Sequence, residues 1–131
     1  MKIVVGYKES KLSKAILDTV KQHAKAFDAT VYLIFSLEGG SGEKIEEIDK
    51  AKSELSYAES VLKEAGIKVE AELLIRGLSP GEDIVDFAKD KEADEIIVGV
   101  KMKSKVGKFL LGSTAQYVIL NADCPVVTIK S

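Results

Sequence analysis

The chain holds one cysteine, Cys124, which excludes an internal disulfide and leaves a reducing cytoplasm as the simplest expectation. It has no tryptophan, and its tyrosines, Tyr7, Tyr32, Tyr57 and Tyr117, are too scattered to form a stacking platform. Its one histidine, His23, has no cysteine at metal-ligand spacing, so no metal site is expected. The formal net charge of -2 gives no support for a nucleic-acid partner. No apolar run approaches the length of a membrane span, so no membrane partner is expected. Met1-Lys2 leads directly into Ile3-Val4-Val5, which is not a signal-peptide pattern.

Site signatures are also missing. There is no Gly-x-x-x-x-Gly-Lys-Ser/Thr loop, and no Gly-x-Gly-x-x-Gly follows the first apolar run. The end of that run lacks the acidic cluster of a response-regulator receiver. No nucleophile, base and oxyanion donor form a set, so the chain does not read as an enzyme.

What is present is a well-supplied core. Hydrophobic residues make up 46% of 131, enough for one domain over residues 1–131, while charges of both signs are interspersed. Five short apolar runs stand out: Lys2 to Gly6, Thr30 to Ser36, Lys68 to Ile75, Glu95 to Gly99 and Pro125 to Ile129. The first, second and fourth are apolar on both faces and belong in the centre of a sheet. The third alternates Val69, Ala71, Leu73 and Ile75 with Glu70 and Glu72, which suits an edge.

Helical spacing fills the gaps. Leu12, Ile16, Val20, His23 and Phe27 share one face of a first helix, with His23 read as a structural residue because no carboxylate is spaced to partner it. A second helix carries Ile45, Ile48, Ala51, Leu55, Leu62 and Ala65 and stops at Gly66. Ser79-Pro80-Gly81-Glu82 is a capping box with proline in the first turn. Ser113-Thr114-Ala115-Gln116 has similar spacing, with Ser113 as N-cap of a fourth helix. Gly39 to Gly42 reads as a flexible loop. Cys124, ahead of Pro125, reads as a small buried apolar residue.

The order β-α-β-α-β-α-β-α-β predicts a doubly wound five-stranded parallel sheet of the α/β class, strand order 3-2-1-4-5. Ligands of such sheets bind beyond the carboxyl ends of the strands where the order reverses, here between strands one and four. That crevice brings Gly6-Tyr7-Lys8 beside Gly99. Lys101, Lys103, Lys105 and Lys108 follow Gly99 without an intervening acid, in a segment read as a loop. Local positive charge on an acidic chain points to an anionic ligand, which backbone amides at a helix start also favour. A solvated lysine surface is the alternative.

Gly99, two residues, Met102, nine residues, then Gly112-Ser113 resembles the glycine signature of the universal stress protein family. The resemblance extends over the whole chain and is most specific from Val106 to Gln116. It implies an adenine nucleotide alpha hydrolase-like fold. It also implies ATP as ligand, with Gly99, Gly112, Ser113 and Thr114 at the phosphates; Lys8 and Lys103 are expected beside them as auxiliary cations. Two positions depart from the binders' pattern: Met102 replaces a glycine, and Lys8 replaces an aspartate that contacts the nucleoside.

Three functions follow from the resemblance. The first is a cytoplasmic stress-response protein that binds or senses ATP or ADP. The second, favoured by the two departures, is a nucleotide-free dimeric scaffold. The third is a weak ATPase. A homodimer through the last strand's apolar edge suits either of the first two.

Overall fold

The computed structural model describes residues 1–39, 44–105 and 108–130, the side chains of 102–105 and 108–110 excepted. The loop expected at Gly39 to Gly42 lies outside the described residues from Gly40 onward. Strands β1 (Lys2–Gly6), β2 (Thr30–Leu37), β3 (Lys68–Ile75) and β4 (Glu95–Gly99) alternate with helices α1 (Ser13–Phe27), α2 (Ile45–Glu64) and α3 (Pro80–Lys91). Short strands β5 (Met102–Lys105) and β6 (Lys108–Leu111) then precede α4 (Ser113–Asn121) and β7 (Val126–Ile129).

The main sheet is parallel with order β3-β2-β1-β4-β7, the order expected for five strands. Alternating side chains explain why its central strands are apolar throughout. Ile3 and Val5 pack with Ile16, Val20, Leu55 and Leu62 on the α1–α2 side. Val4 packs with Ile84, Val85 and Val118 on the α3–α4 side.

The lysine-rich stretch differs from its sequence reading. Met102–Lys105 and Lys108–Leu111 pair antiparallel as a separate two-stranded sheet, Met102 opposite Leu111. Lysine and serine have low strand propensity, and no apolar alternation marks the segment, so periodicity missed it.

Three apolar assignments also change. Ile45 is 78% exposed, because the twenty-residue α2 outruns the eight-residue strands it covers. Phe27 is half exposed at the end of α1, where Ala24 takes the inward position. Ile75 is exposed at the end of edge strand β3, while Leu74 faces the α3 side. Among the described residues no helix is long and apolar enough to cross a membrane.

Candidate functional site

Gly6 pairs with Ile34 on one side and Val98 on the other, so β1, β2 and β4 end side by side. Tyr7 N–H donates to Ile34 O at 2.8 Å and Val100 N–H to Ile129 O at 2.7 Å, carrying the parallel ladder past the strand ends. Beyond them opens a cavity of about 310 Å³. Tyr7 and Lys8 line it from β1, Ile34 to Leu37 from β2, Gly99 and Lys101 from β4, and Gly112 to Ala115 from the start of α4. The structure thus brings five of the expected residues together: Lys8, Gly99, Gly112, Ser113 and Thr114. The side chains of Lys103 and Met102 lie outside the described residues.

The two signature glycines do different physical work. A Cβ on Gly99 would come within 3.1 Å of Ile16 Cδ1 and 3.2 Å of Leu12 Cδ1, so its bareness lets α1 pack closely. Gly112, at φ −61°, has room for a Cβ 3.5 Å from Lys101 Cβ. Among the described residues nothing crowds a side chain at 112.

Gly112, not Ser113, is the N-cap of α4, and among the described residues no side chain caps this helix. Gly112 N–H donates to Lys101 O at 2.9 Å, and Gln116 N–H makes the first helical bond, to Gly112 O at 3.1 Å. The amides of Ser113, Thr114 and Ala115 precede that bond and have no partner among the described residues. All three residues line the cavity. Unpaired amides and the positive end of a helix dipole are a suitable receptor for an anion.

Lys8 and Lys101 are the charged residues among the described lining, and no acid or histidine joins them. The wall is otherwise apolar apart from a few hydroxyls, including those of Ser10 and Ser36. Tyr7 is buried and donates its hydroxyl to Glu9 Oε2 at 3.0 Å. Burial pushes the Tyr7 phenol up, the hydrogen bond with Ser13 opposes this, and the Glu9 carboxylate adds to it.

Behind the cavity lies a polar group that spacing did not reveal. Asp83, fully buried in α3, accepts from Arg76 Nε at 2.6 Å and from the Ser36 hydroxyl at 2.7 Å. Ser36 belongs to both this network and the cavity wall. The available signal was Arg76 itself, the chain's single arginine, set between a strand and a capped helix. At that helix the expected capping box closes differently: Ser79 donates to the Glu82 side chain at 2.7 Å rather than capping a backbone amide.

At the opposite end of the sheet, His23 Nδ1 lies 2.7 Å from Glu95 Oε1. The expectation that His23 lacks a carboxylate partner is therefore incorrect. The two are 72 residues apart, beyond what helical spacing detects. Cys124 is partly rather than fully buried, and burial, then Asp123, Asp94 and Glu95, push its thiol up.

The universal stress protein family model matches residues 1–130. The chain is 36% identical to universal stress protein MJ0531 of Methanocaldococcus jannaschii, over 98% of this chain and 81% of that protein. A universal stress protein structure from Archaeoglobus fulgidus superposes with a TM-score of 0.88 at 39% identity, covering 98% of this chain and 97% of that one. A second structure from that organism, of a universal stress protein in complex with dAMP, gives 0.82 at 36% identity over 98% and 96%. The chain belongs to the universal stress protein family.

Proposed function

We propose that the chain is a cytoplasmic stress-response protein that binds an adenine nucleotide, ATP or ADP, in the cavity between β1 and β4. One observation carries this reading: the three unpartnered first-turn amides of α4 line a cavity whose described charges are lysines. Gly112, Ser113 and Thr114 hold phosphate oxygens there, and Gly99 keeps the floor low. Lys8, Lys101 and Lys103 supply positive charge. The base lies on the apolar wall near Ile34 and Leu37. The dAMP complex of the Archaeoglobus fulgidus relative supports the ligand class.

The reading is of a binding protein rather than a hydrolase. A general base must reach the attacking water, and no histidine or carboxylate is among the described lining residues. Bound nucleotide changes the surface that β5 and β6, between β4 and α4, offer to partners.

A second reading, the nucleotide-free dimeric scaffold, is favoured by Lys8 on the cavity wall. The self-association it invokes suits both readings. β7 is an edge strand with Val126, Val127 and Ile129 only partly covered, and Leu120 in the preceding helix is 72% exposed. Pairing of β7 with its copy would cover this edge. Sedimentation is expected to give a dimer.

Isothermal titration with ATP and ADP separates the two functions. Saturable heat at micromolar protein is expected, and its absence at high micromolar protein leaves the scaffold.

A further inference from the structure

The charge on the cavity wall narrows the ligand class further, an argument that rests on the nucleotide reading above. Across the mouth the strands run β2, β1, β4, with neighbours roughly 4.8 Å apart. At the β2 side the wall is mainly apolar, built by Ile34, Phe35 and Leu37 around the hydroxyl of Ser36. At the far side stand Lys101 and the free amides of α4. Lys8 leaves the end of β1, between these two walls. A nucleotide with its base on the first wall and its 5′-phosphate on the second lays its ribose across β1, beside Lys8.

An unmodified ribose diol is best held by a carboxylate, which accepts from both hydroxyls, whereas an ammonium only donates. No described lining residue is an acid. Glu9, next to Lys8 in the chain, accepts from the Tyr7 hydroxyl instead. In dinucleotide sites the same choice is made between an acid for a free 2′-hydroxyl and a cation for a 2′-phosphate. We infer that the cavity selects an adenine nucleotide carrying a phosphate on the ribose 2′ or 3′ oxygen as well as on the 5′ oxygen. Lys8 is the residue that sets this preference. The volume of about 310 Å³ sits at the small end of ligand pockets, which suits a mononucleotide better than a dinucleotide.

The competing role for Lys8 is to reach forward along a 5′-polyphosphate. ADP separates the two, because it carries as many phosphate groups as an adenosine bisphosphate but none on the ribose 2′ or 3′ oxygen. The experiment is isothermal titration of the full chain with adenosine 3′,5′-bisphosphate, adenosine 2′,5′-bisphosphate and ADP. One bisphosphate is expected to bind about tenfold or more tighter than ADP, as one added charge-assisted contact allows. Lys8→Ala is expected to remove most of that preference, and circular dichroism confirms its fold, Lys8 being exposed. ADP binding as tightly as both bisphosphates, or a preference that Lys8→Ala leaves unchanged, overturns the ribose-phosphate inference and leaves the nucleotide reading standing. Failure of all three ligands to bind overturns the nucleotide reading and this inference with it.

Discussion

Arg76 donates from Nε to Asp83 Oδ1 at 2.6 Å, and Asp83 has no solvent exposure at all. The guanidinium also reaches the Asp83 carbonyl at 3.3 Å. With Ser36 on the second carboxylate oxygen, the group ties the end of β2, the turn after β3 and the first turn of α3 together. Two of these, β2 and α3, supply apolar lining to the cavity through Ile34, Leu37, Pro80 and Ile84.

The two partners are not equivalent. Arg76→Ala strands a buried carboxylate with one hydroxyl, and breaking such a pair costs about 3–5 kcal/mol. Asp83→Ala leaves an arginine side chain that is 37% exposed and can turn to water. The arginine substitution is therefore expected to be the more destabilising of the two in urea denaturation.

Gly112→Ala separates the needs of the fold from those of the ligand. The added methyl has ordinary contact distance to Lys101, and the backbone is not left-handed. Stability is expected to fall by only about 1 kcal/mol, the usual difference between glycine and alanine at an N-cap. Nucleotide affinity is expected to fall about tenfold or more, because the methyl occupies the approach of a phosphate to the first-turn amides. Gly6→Ala is the contrasting case. Its Cβ would stand 2.6 Å from Ile84 Cδ1, so the melting temperature itself is expected to drop. Thermal melts paired with titration calorimetry distinguish the two variants.

The arrangement of β1 to β4 was legible in the sequence because burial on both faces leaves continuous apolar runs, as in Ile3-Val4-Val5 and Ile96-Ile97-Val98. β3 was legible as an edge because Glu70 and Glu72 stay in water. The meeting of Lys8, Gly99 and Gly112 at one crevice followed from topology and from the family resemblance. What escaped was set by tertiary contact. Asp83 looks like a helix-start acid until Ser36 and Arg76 surround it. Ser113 looks like a cap until the bond from Gln116 N–H to Gly112 O places the N-cap one residue earlier. The β5–β6 hairpin escaped because its pairing is backbone-made and its first strand, Met102–Lys105, has no apolar alternation.

His23→Ala is expected to lower stability without touching the ligand. Glu95 is almost buried, and without His23 its carboxylate has no partner among the described residues. The loss is expected to be about 1–3 kcal/mol, the usual penalty for an unsatisfied buried polar group. Because the pair sits at the amino end of β4, nucleotide titration of this variant is expected to match the parent.

Cys124 is expected to alkylate slowly in the native protein. Burial and the neighbouring acids hold its thiol above the ordinary value of 9.0. The folded state therefore keeps this proton more tightly than the unfolded chain. Its contribution to stability is complete below the ordinary thiol range and is lost as pH rises through the higher folded value. Iodoacetamide labelling across pH 7–10, native against urea-unfolded, is expected to show the native rate lagging throughout and rising later.

The central claim is that the opening amides of α4 receive a phosphate, and amide NMR reads them directly. Titrating ¹⁵N-labelled protein with ATP is expected to move the Ser113, Thr114 and Ala115 resonances most, with Gly99 and Lys8 following. Resonances that stay still there, or that move instead around Ala93 and Cys124 at the other end of the sheet, would contradict it.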